Sequence, residues 1–221
     1  MTLFTPHEVA VDGIPTIYRL YVPPDLPSPA PLILFLHGAG ESGVDGVAQT
    51  TVGIGPAIRR DRGRFPALVV FPQASRGYGW RGFNLAAAVA ALEETQRMHD
   101  VDPQRIVVTG ISMGGYGTWR LALEQPRRFA ALVPVCGGLE GGFGLQESAR
   151  RLAHIPQWVF HGDADTIIPV EQSRRMVEAL RAAGADVRYS EYPRVQHNSW
   201  DRAYAEKELV PWMLGQTAPR A

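Results

Sequence analysis

The run Val107-Val108-Thr109-Gly110-Ile111-Ser112-Met113-Gly114-Gly115-Tyr116-Gly117 constrains this chain more than any other stretch. Its apolar, β-branched start favours a strand, and a helical pattern follows the glycines. A strand that breaks at once into a helix leaves one residue, Ser112, at a strained corner. Gly110 and Gly114 remove the side chains that would crowd this corner, and Gly115 lets the new helix approach the sheet. The Ser112 oxygen then faces the positive end of that helix, where a developing anion is stabilised.

The rest of the chain alternates strand and helix patterns. Val9–Ile14 and Thr16–Val22 read as two alternating strands around the Asp12-Gly13 turn, a half-exposed antiparallel edge. After a proline-rich connection, Leu32–Leu36 and Ala67–Phe71 are continuously apolar, as expected of strands buried on both faces. Glu41–Gly55 is glycine-rich and irregular, a helix is expected over Gly55–Arg60, and a long one over Asn84–Met98. Asp102-Pro103 is expected to break the chain before the Arg105–Thr109 strand. Further strands are expected at Ala131–Cys136, Gln157–Phe160 and Val187–Tyr192. Helices are expected around Leu145–Ala153, over Val170–Ala183 with Gly184 as cap, and from Ser199 to about Leu214. This order implies an α/β fold: a doubly wound, mostly parallel sheet with helices on both faces. The 221 residues fit a single domain, 1–221, with length enough for a substantial core.

Charge and cysteine content narrow the function. The 22 Lys and Arg balance the 22 Asp and Glu, so net charge is zero, which argues against a nucleic-acid partner. The lone Cys136 permits no intrachain disulfide and no cysteine metal cluster, and no histidine pair has metal-ligand spacing. Gly137–Gly142 lacks the Lys-Ser/Thr ending of a phosphate-binding loop. Met1–Pro6 does not read as a secretory leader and no apolar run reaches spanning length, so a cytoplasmic protein without membrane contact is expected.

A serine hydroxyl is hardly ionised at neutral pH and needs a base, usually histidine. In doubly wound sheets chemistry gathers at the carboxyl ends of strands. His197 lies in the loop after the last strand pattern, whereas His37 and His161 sit in tight His-Gly turns suited to structural hydrogen bonds. His7, His99 and His154 read as solvated. The base in turn needs a carboxylate to fix its tautomer. Asp163 and Asp165 both follow the penultimate strand, and the residues alone do not separate them: one is the acid, the other a loop or cap residue.

Four motifs in order, Leu36-His37-Gly38-Ala39-Gly40, Gly110-Ile111-Ser112-Met113-Gly114-Gly115, His161-Gly162-Asp163-Ala164-Asp165-Thr166-Ile167-Ile168-Pro169 and Gln196-His197-Asn198-Ser199-Trp200, resemble the small serine esterases of the α/β-hydrolase superfamily. The nearest group is the phospholipase/carboxylesterase and dienelactone-hydrolase-like set, with polyhydroxybutyrate-depolymerase-like and feruloyl-esterase-like members. The likeness spans Leu32 to Trp200. It implies a catalytic set of Ser112, Asp165 and His197, with the amides of Ala39 and Met113 as the oxyanion hole. This chain has Gln196 where the family usually has glycine before the histidine, a change that leaves the imidazole in place. The resemblance implies ester hydrolysis through an acyl-enzyme, a reaction that needs no cofactor; an open site without a lid favours short-chain or aryl esters, so a small-molecule ester partner is expected. A peptidase or thioesterase of the same superfamily is the alternative, and a ligand-binding receptor with little turnover is the rival from another class. About twenty residues separate the strands ending at Cys136 and starting near Gln157, which leaves little room for a lid. Trp80, Tyr78 and Trp200 lie in loops at the same end and are candidates to line the substrate pocket, with core packing as the alternative.

Overall fold

A computed structural model describes residues 2–140 and 143–218. The glycines at 141 and 142, within the glycine-rich run noted above, lie outside the described residues. The strands are β1 (Thr5–Val11), β2 (Ile14–Tyr21), β3 (Ala30–Leu36), β4 (Leu68–Pro72), β5 (Val101–Ile111), β6 (Ala131–Val135), β7 (Gln157–Gly162) and β8 (Val187–Tyr192). They form one sheet in the order β1-β2-β4-β3-β5-β6-β7-β8. The hairpin of β1 and β2 is antiparallel and joins β4 antiparallel; every pairing from β4 to β8 is parallel. Asp12 and Gly13 both have positive φ (50° and 78°), as a two-residue hairpin turn matching strand twist requires.

Among the described residues seven α-helices cover the sheet: α1 (Ile54–Arg60), α2 (Phe83–Met98), α3 (Met113–Glu124), α4 (Leu145–Leu152), α5 (Glu171–Ala182), α6 (Trp200–Ala205) and α7 (Leu209–Leu214). The pleat of β3 shows how they are divided. Leu32, Leu34 and Leu36 pack with Leu85, Ala88 and Leu92 of α2, Trp119 of α3, Leu152 of α4 and Leu180 of α5. Ile33 and Phe35 point the other way, toward Ile54 and Ile58 of α1, Tyr204 of α6 and Met213 of α7. All seven residues of β3 are buried, and each large apolar side chain so buried contributes about 1.5–3 kcal/mol relative to exposure.

Two elements differ from expectation. Strand β5 starts at Val101 and runs through Pro103 instead of beginning at Arg105. Its pairing with β6 begins only at Val107, and its register with β3 shifts between Ala30 and Leu32. Proline is tolerated there because part of the ladder is interrupted and its missing N–H leaves no central bond unmade. The single helix expected from Ser199 to Leu214 is two short ones, α6 and α7. Pro211 lies in the first turn of α7, where an N–H has no intrahelical acceptor; inside one continuous helix it would break the ladder. Among the described residues no helix is long and apolar enough to cross a membrane.

Candidate active site

Ser112 stands between β5 and α3 with φ 52° and ψ −116°, a backbone conformation that costs a non-glycine residue on the order of 1–3 kcal/mol. The sequence around it makes the corner possible. A Cβ on Gly114 would lie 1.9 Å from the Leu36 carbonyl oxygen, and one on Gly110 would lie 2.3 Å from the Gly114 carbonyl oxygen. The Ser112 N–H donates to Val135 O (2.9 Å), and its own carbonyl accepts from Gly115 (2.8 Å) and Tyr116 (3.2 Å). These bonds fix the serine to β6 on one side and to the first turn of α3 on the other.

His197, in the loop after β8, has Nε2 2.9 Å from Ser112 Oγ and Nδ1 2.7 Å from Asp165 Oδ2. The Asp165 side chain is fully buried, whereas that of His197 keeps 21% exposure. Asp165 Oδ1 accepts the N–H groups of Ile167 and Ile168, both at 2.9 Å. Burial pushes its carboxyl pKa up, but the hydrogen bonds from His197 and the two amides outweigh burial and hold it below the ordinary carboxylate value. Asp165 is therefore an anion whose two oxygens are divided between its own turn and the histidine. Asp163, the other candidate, is exposed and accepts the Arg194 N–H at 2.6 Å.

The turns carrying Asp165 and His197 are fastened together. Asp163 N–H donates to Tyr192 O (3.1 Å) and Ala164 N–H to Val195 O (3.0 Å). A Cβ on Gly162 would lie 2.2 Å from Val195 O, so glycine allows this contact.

The other two histidines at strand ends are buried and structural. Ala74 N–H donates to His37 Nε2 (2.9 Å), which leaves Nδ1–H to donate to Gly38 O (2.6 Å). Burial lowers the His37 pKa to about 4, against smaller raising effects from the Gly38 bond and Asp45. His161 has Nε2 3.0 Å from Ile168 O and 3.2 Å from Asp165 Oδ2, with Nδ1 2.7 Å from Ser173 Oγ. It thus reaches the same carboxylate oxygen as His197, a contact that sequence reasoning missed; its only trace was the spacing of His161 and Asp165 across one strand-end turn.

Ala39 and Met113 both line the cleft above Ser112. Each is the first residue of a helical segment, a 3₁₀ turn at Ala39–Glu41 and α3, so its N–H precedes any intrahelical acceptor. The cleft has a volume of about 620 Å³. Trp80 lines it but is only 3% exposed; its Nε1 donates to His37 O (2.9 Å) and its ring meets the His37 ring edge-on, so it supports the turn that carries Ala39. Trp200 is not among the lining residues; it packs edge-on against the His197 ring at 5.4 Å. Tyr78 is 69% exposed. Arg76, Arg81, Arg120, Tyr116 and Glu140 also line the cleft, and none of these was singled out from the sequence as a site residue.

Ligand atoms of Cys136, Asp165 and His197 lie within 4.8 Å of one another, a grouping that resembles a metal site. The chemistry does not suit one. Burial pushes the Cys136 thiol up to about 12, so it stays protonated, and only the thiolate is a good ligand. The Asp165 and His197 atoms are already bonded to each other.

A mostly parallel sheet, a serine at a strand-to-helix corner, and serine, acid and histidine in that chain order define an α/β-hydrolase. The phospholipase/carboxylesterase family matches residues 85–206, and the chain belongs to that family. It is 30% identical over 175 residues to a putative esterase, NocK, of Nocardia uniformis subsp. tsuyamanensis, covering 76% of this chain and 50% of that protein. It is 29% identical over 132 residues to poly(3-hydroxyalkanoate) depolymerase C of Paucimonas lemoignei, covering 53% of this chain and 30% of that one. The chain thus spans half or less of the length of these relatives. The crystal structure of a thermostable esterase superposes with a TM-score of 0.89 and 33% identity, covering 97% of this chain and 63% of the other.

Proposed function

We propose that this protein is a serine carboxylesterase acting on short-chain or aryl esters. The observation that carries the reading is the unbroken chain of hydrogen bonds from Ser112 Oγ through His197 to Asp165 Oδ2, at 2.9 and 2.7 Å. Both bonds are within the reach required for proton transfer and for orienting the base. Asp165 accepts from Nδ1–H, which leaves Nε2 free to take a proton.

In the proposed reaction Ser112 Oγ attacks the ester carbonyl while its proton passes to His197 Nε2. The carbonyl oxygen becomes an anion held by the amides of Ala39 and Met113; one such donor is worth about 2.7–4 kcal/mol where it has been removed, as in subtilisin. The tetrahedral intermediate collapses, the C–O bond to the alcohol breaks, and His197 returns the proton to the departing oxygen. Water then attacks the acyl-serine with His197 again as base, and Ser112 is regenerated with release of the acid. Asp165, ionised throughout, stabilises the imidazolium and fixes the tautomer. The cleft is open to solvent, and among the described residues the β6–β7 connection contributes the short helix α4, which suits small esters over long triglycerides. The sheet runs unbroken from β1 to β8, which supports reading residues 1–221 as one catalytic unit.

The test is covalent. A fluorophosphonate should add one label per chain, on Ser112, and Ser112→Ala should lose both the label and hydrolysis of 4-nitrophenyl butyrate while melting as the parent does. A label elsewhere, or turnover retained in Ser112→Ala, refutes the assignment. A folded protein with no turnover on any ester would point to a ligand-binding role.

A further inference from the structure

The cleft above Ser112 carries an excess of positive charge in a chain whose formal net charge is zero. Arg76 and Arg81 stand on the loop between β4 and α2, and Arg120 stands on α3; Glu140 is the one acid among the lining residues. Among the described residues the two loop arginines are tied down only by their ε-nitrogens, Arg76 to Ser42 O (3.3 Å) and Arg81 to Tyr78 O (2.9 Å). Among the described residues neither has a carboxylate within ion-pair distance. Their terminal guanidinium nitrogens are therefore uncommitted, while the ε bonds to backbone carbonyls restrict where the groups point. Arg120 differs: its Nε lies 3.3 Å from Glu124 Oε1, at an angle that makes no hydrogen bond, and among the described residues this buried donor has no other acceptor. Lack of a carboxylate partner is common for arginine here, since among the described residues ion pairs involve only Arg97, Arg120, Arg128, Arg150, Arg151 and Arg174; what sets Arg76 and Arg81 apart is their place on the wall of the cleft beside Ser112.

We propose that the cleft is built for esters that carry an anionic group, a carboxylate in the simplest case, held by Arg76 and Arg81 while the ester carbonyl sits at Ser112. This deepens the esterase reading and rests on it. A planar guanidinium donates two parallel N–H groups to a carboxylate, and a fork held by its ε-nitrogen loses less freedom on binding than a free side chain. Positive charge lining a concave wall of low dielectric also raises the local concentration of an anionic substrate. The neutral remainder of the cleft, with Met113, Tyr116 and the rim glycines, gives the uncharged part of the ester a surface to lie on.

The experiment compares matched pairs that differ only in charge. One pair places the anion on the acyl side: 4-nitrophenyl hemiadipate and its terminal carboxamide. The other places it on the alcohol side: 3-acetoxybenzoate and 3-acetoxybenzamide. In at least one pair the anionic ester should show kcat/KM about tenfold above its neutral partner at low salt, mostly through KM. That ratio should shrink several-fold at 0.5 M NaCl, where screening acts within about 4 Å. It should approach one in Arg76→Gln/Arg81→Gln; the single variants, with melting temperatures recorded, serve if the double variant is unstable. Equal or better turnover of the neutral partner in both pairs overturns the proposal, as does a preference untouched by the arginine changes. Those results would leave the esterase reading standing, since the neutral esters would still be cleaved through Ser112. Absence of turnover on all four esters, or turnover that survives Ser112→Ala, would instead overturn the esterase reading and this proposal with it.

Discussion

Replacing Asp165 by asparagine separates orientation from mere polarity at this site. Asp165 Oδ1 accepts two backbone N–H groups, and an asparagine oxygen can keep both. The amide nitrogen then takes the place of Oδ2, where His197 Nδ1 lies at 2.7 Å and His161 Nε2 at 3.2 Å. A donor now faces two donors. His197 relieves the conflict by moving its proton to Nε2, so that Nδ1 accepts from the amide. That tautomer presents an N–H to Ser112 Oγ at 2.9 Å and has no lone pair with which to take the serine proton. The equivalent change in a serine protease, the general example for this effect, lowers turnover about 10⁴-fold, or roughly 5.5 kcal/mol at 1.36 kcal/mol per decade. The fold should lose only about 1–2 kcal/mol, because His161 keeps its Ile168 carbonyl and one hydrogen bond is exchanged for an imperfect one. Asp163→Asn is the control. It is exposed and accepts a single backbone N–H, which asparagine also accepts, so stability should change by less than about 0.5 kcal/mol and turnover by no more than about twofold. Both variants are read by kcat and KM on 4-nitrophenyl butyrate and by thermal melting. Turnover of folded Asp165→Asn within tenfold of the parent would refute the tautomer argument, and greater damage from Asp163→Asn would move the acid there.

Three further outcomes follow from the geometry. Because Ser112 holds φ 52°, Ser112→Gly should be more stable than Ser112→Ala by about 1 kcal/mol after the entropy cost of glycine; equal urea midpoints would mean that the corner stores no strain. Gly114→Ala would place a methyl 1.9 Å from a strand carbonyl that cannot retreat, so a loss above about 3 kcal/mol, or no folded protein, is expected, and a near-normal melting curve would refute it. The folded-state pKa of His37 is lowered to about 4 from 6.5, so the unfolded chain takes up a proton there first as pH falls. Stability should decline between pH 6.5 and 4 by up to about 3 kcal/mol from this group and then level off. NMR should find the His37 ring neutral at pH 5; a ring already protonated in the folded protein at that pH would contradict its burial.

The alternation of elements and the serine corner were legible because each rests on local pattern: β-branched runs, glycine spacing, turn pairs such as Asp12-Gly13. The sequence singled out His197 by position alone, since a loop after the last strand must open at the carboxyl edge of a parallel sheet, and its Nε2 lies 2.9 Å from Ser112 Oγ. It left Asp163 and Asp165 unresolved because both lie in one turn, and their difference is a matter of which oxygen points inward. Pro103 and Pro211 misled in opposite ways. Pro103 reads as a strand breaker, yet the interrupted ladder tolerates it; the helical pattern from Ser199 continues past a proline at which the chain in fact starts a new helix. The contact of His161 with Asp165 and the three arginines of the cleft depend on tertiary placement, which no periodicity carries. Trp80 is a third kind of case: it lines the cleft, but nearly all its surface is committed to the turn that presents Ala39.

The fastening of the β7 and β8 turns through Gly162, Ala164 and Val195 means that Asp165 and His197 ride on one part and the serine corner on another. Laboratory evolution that lengthens either turn alone would shear Asp165 from His197. A transplant carrying residues 161–169 together with 192–199 would preserve their register. Chimaeras between family members should therefore tolerate crossovers before β7 and fail at crossovers between β7 and β8 unless the partner supplies a glycine at the same point of contact.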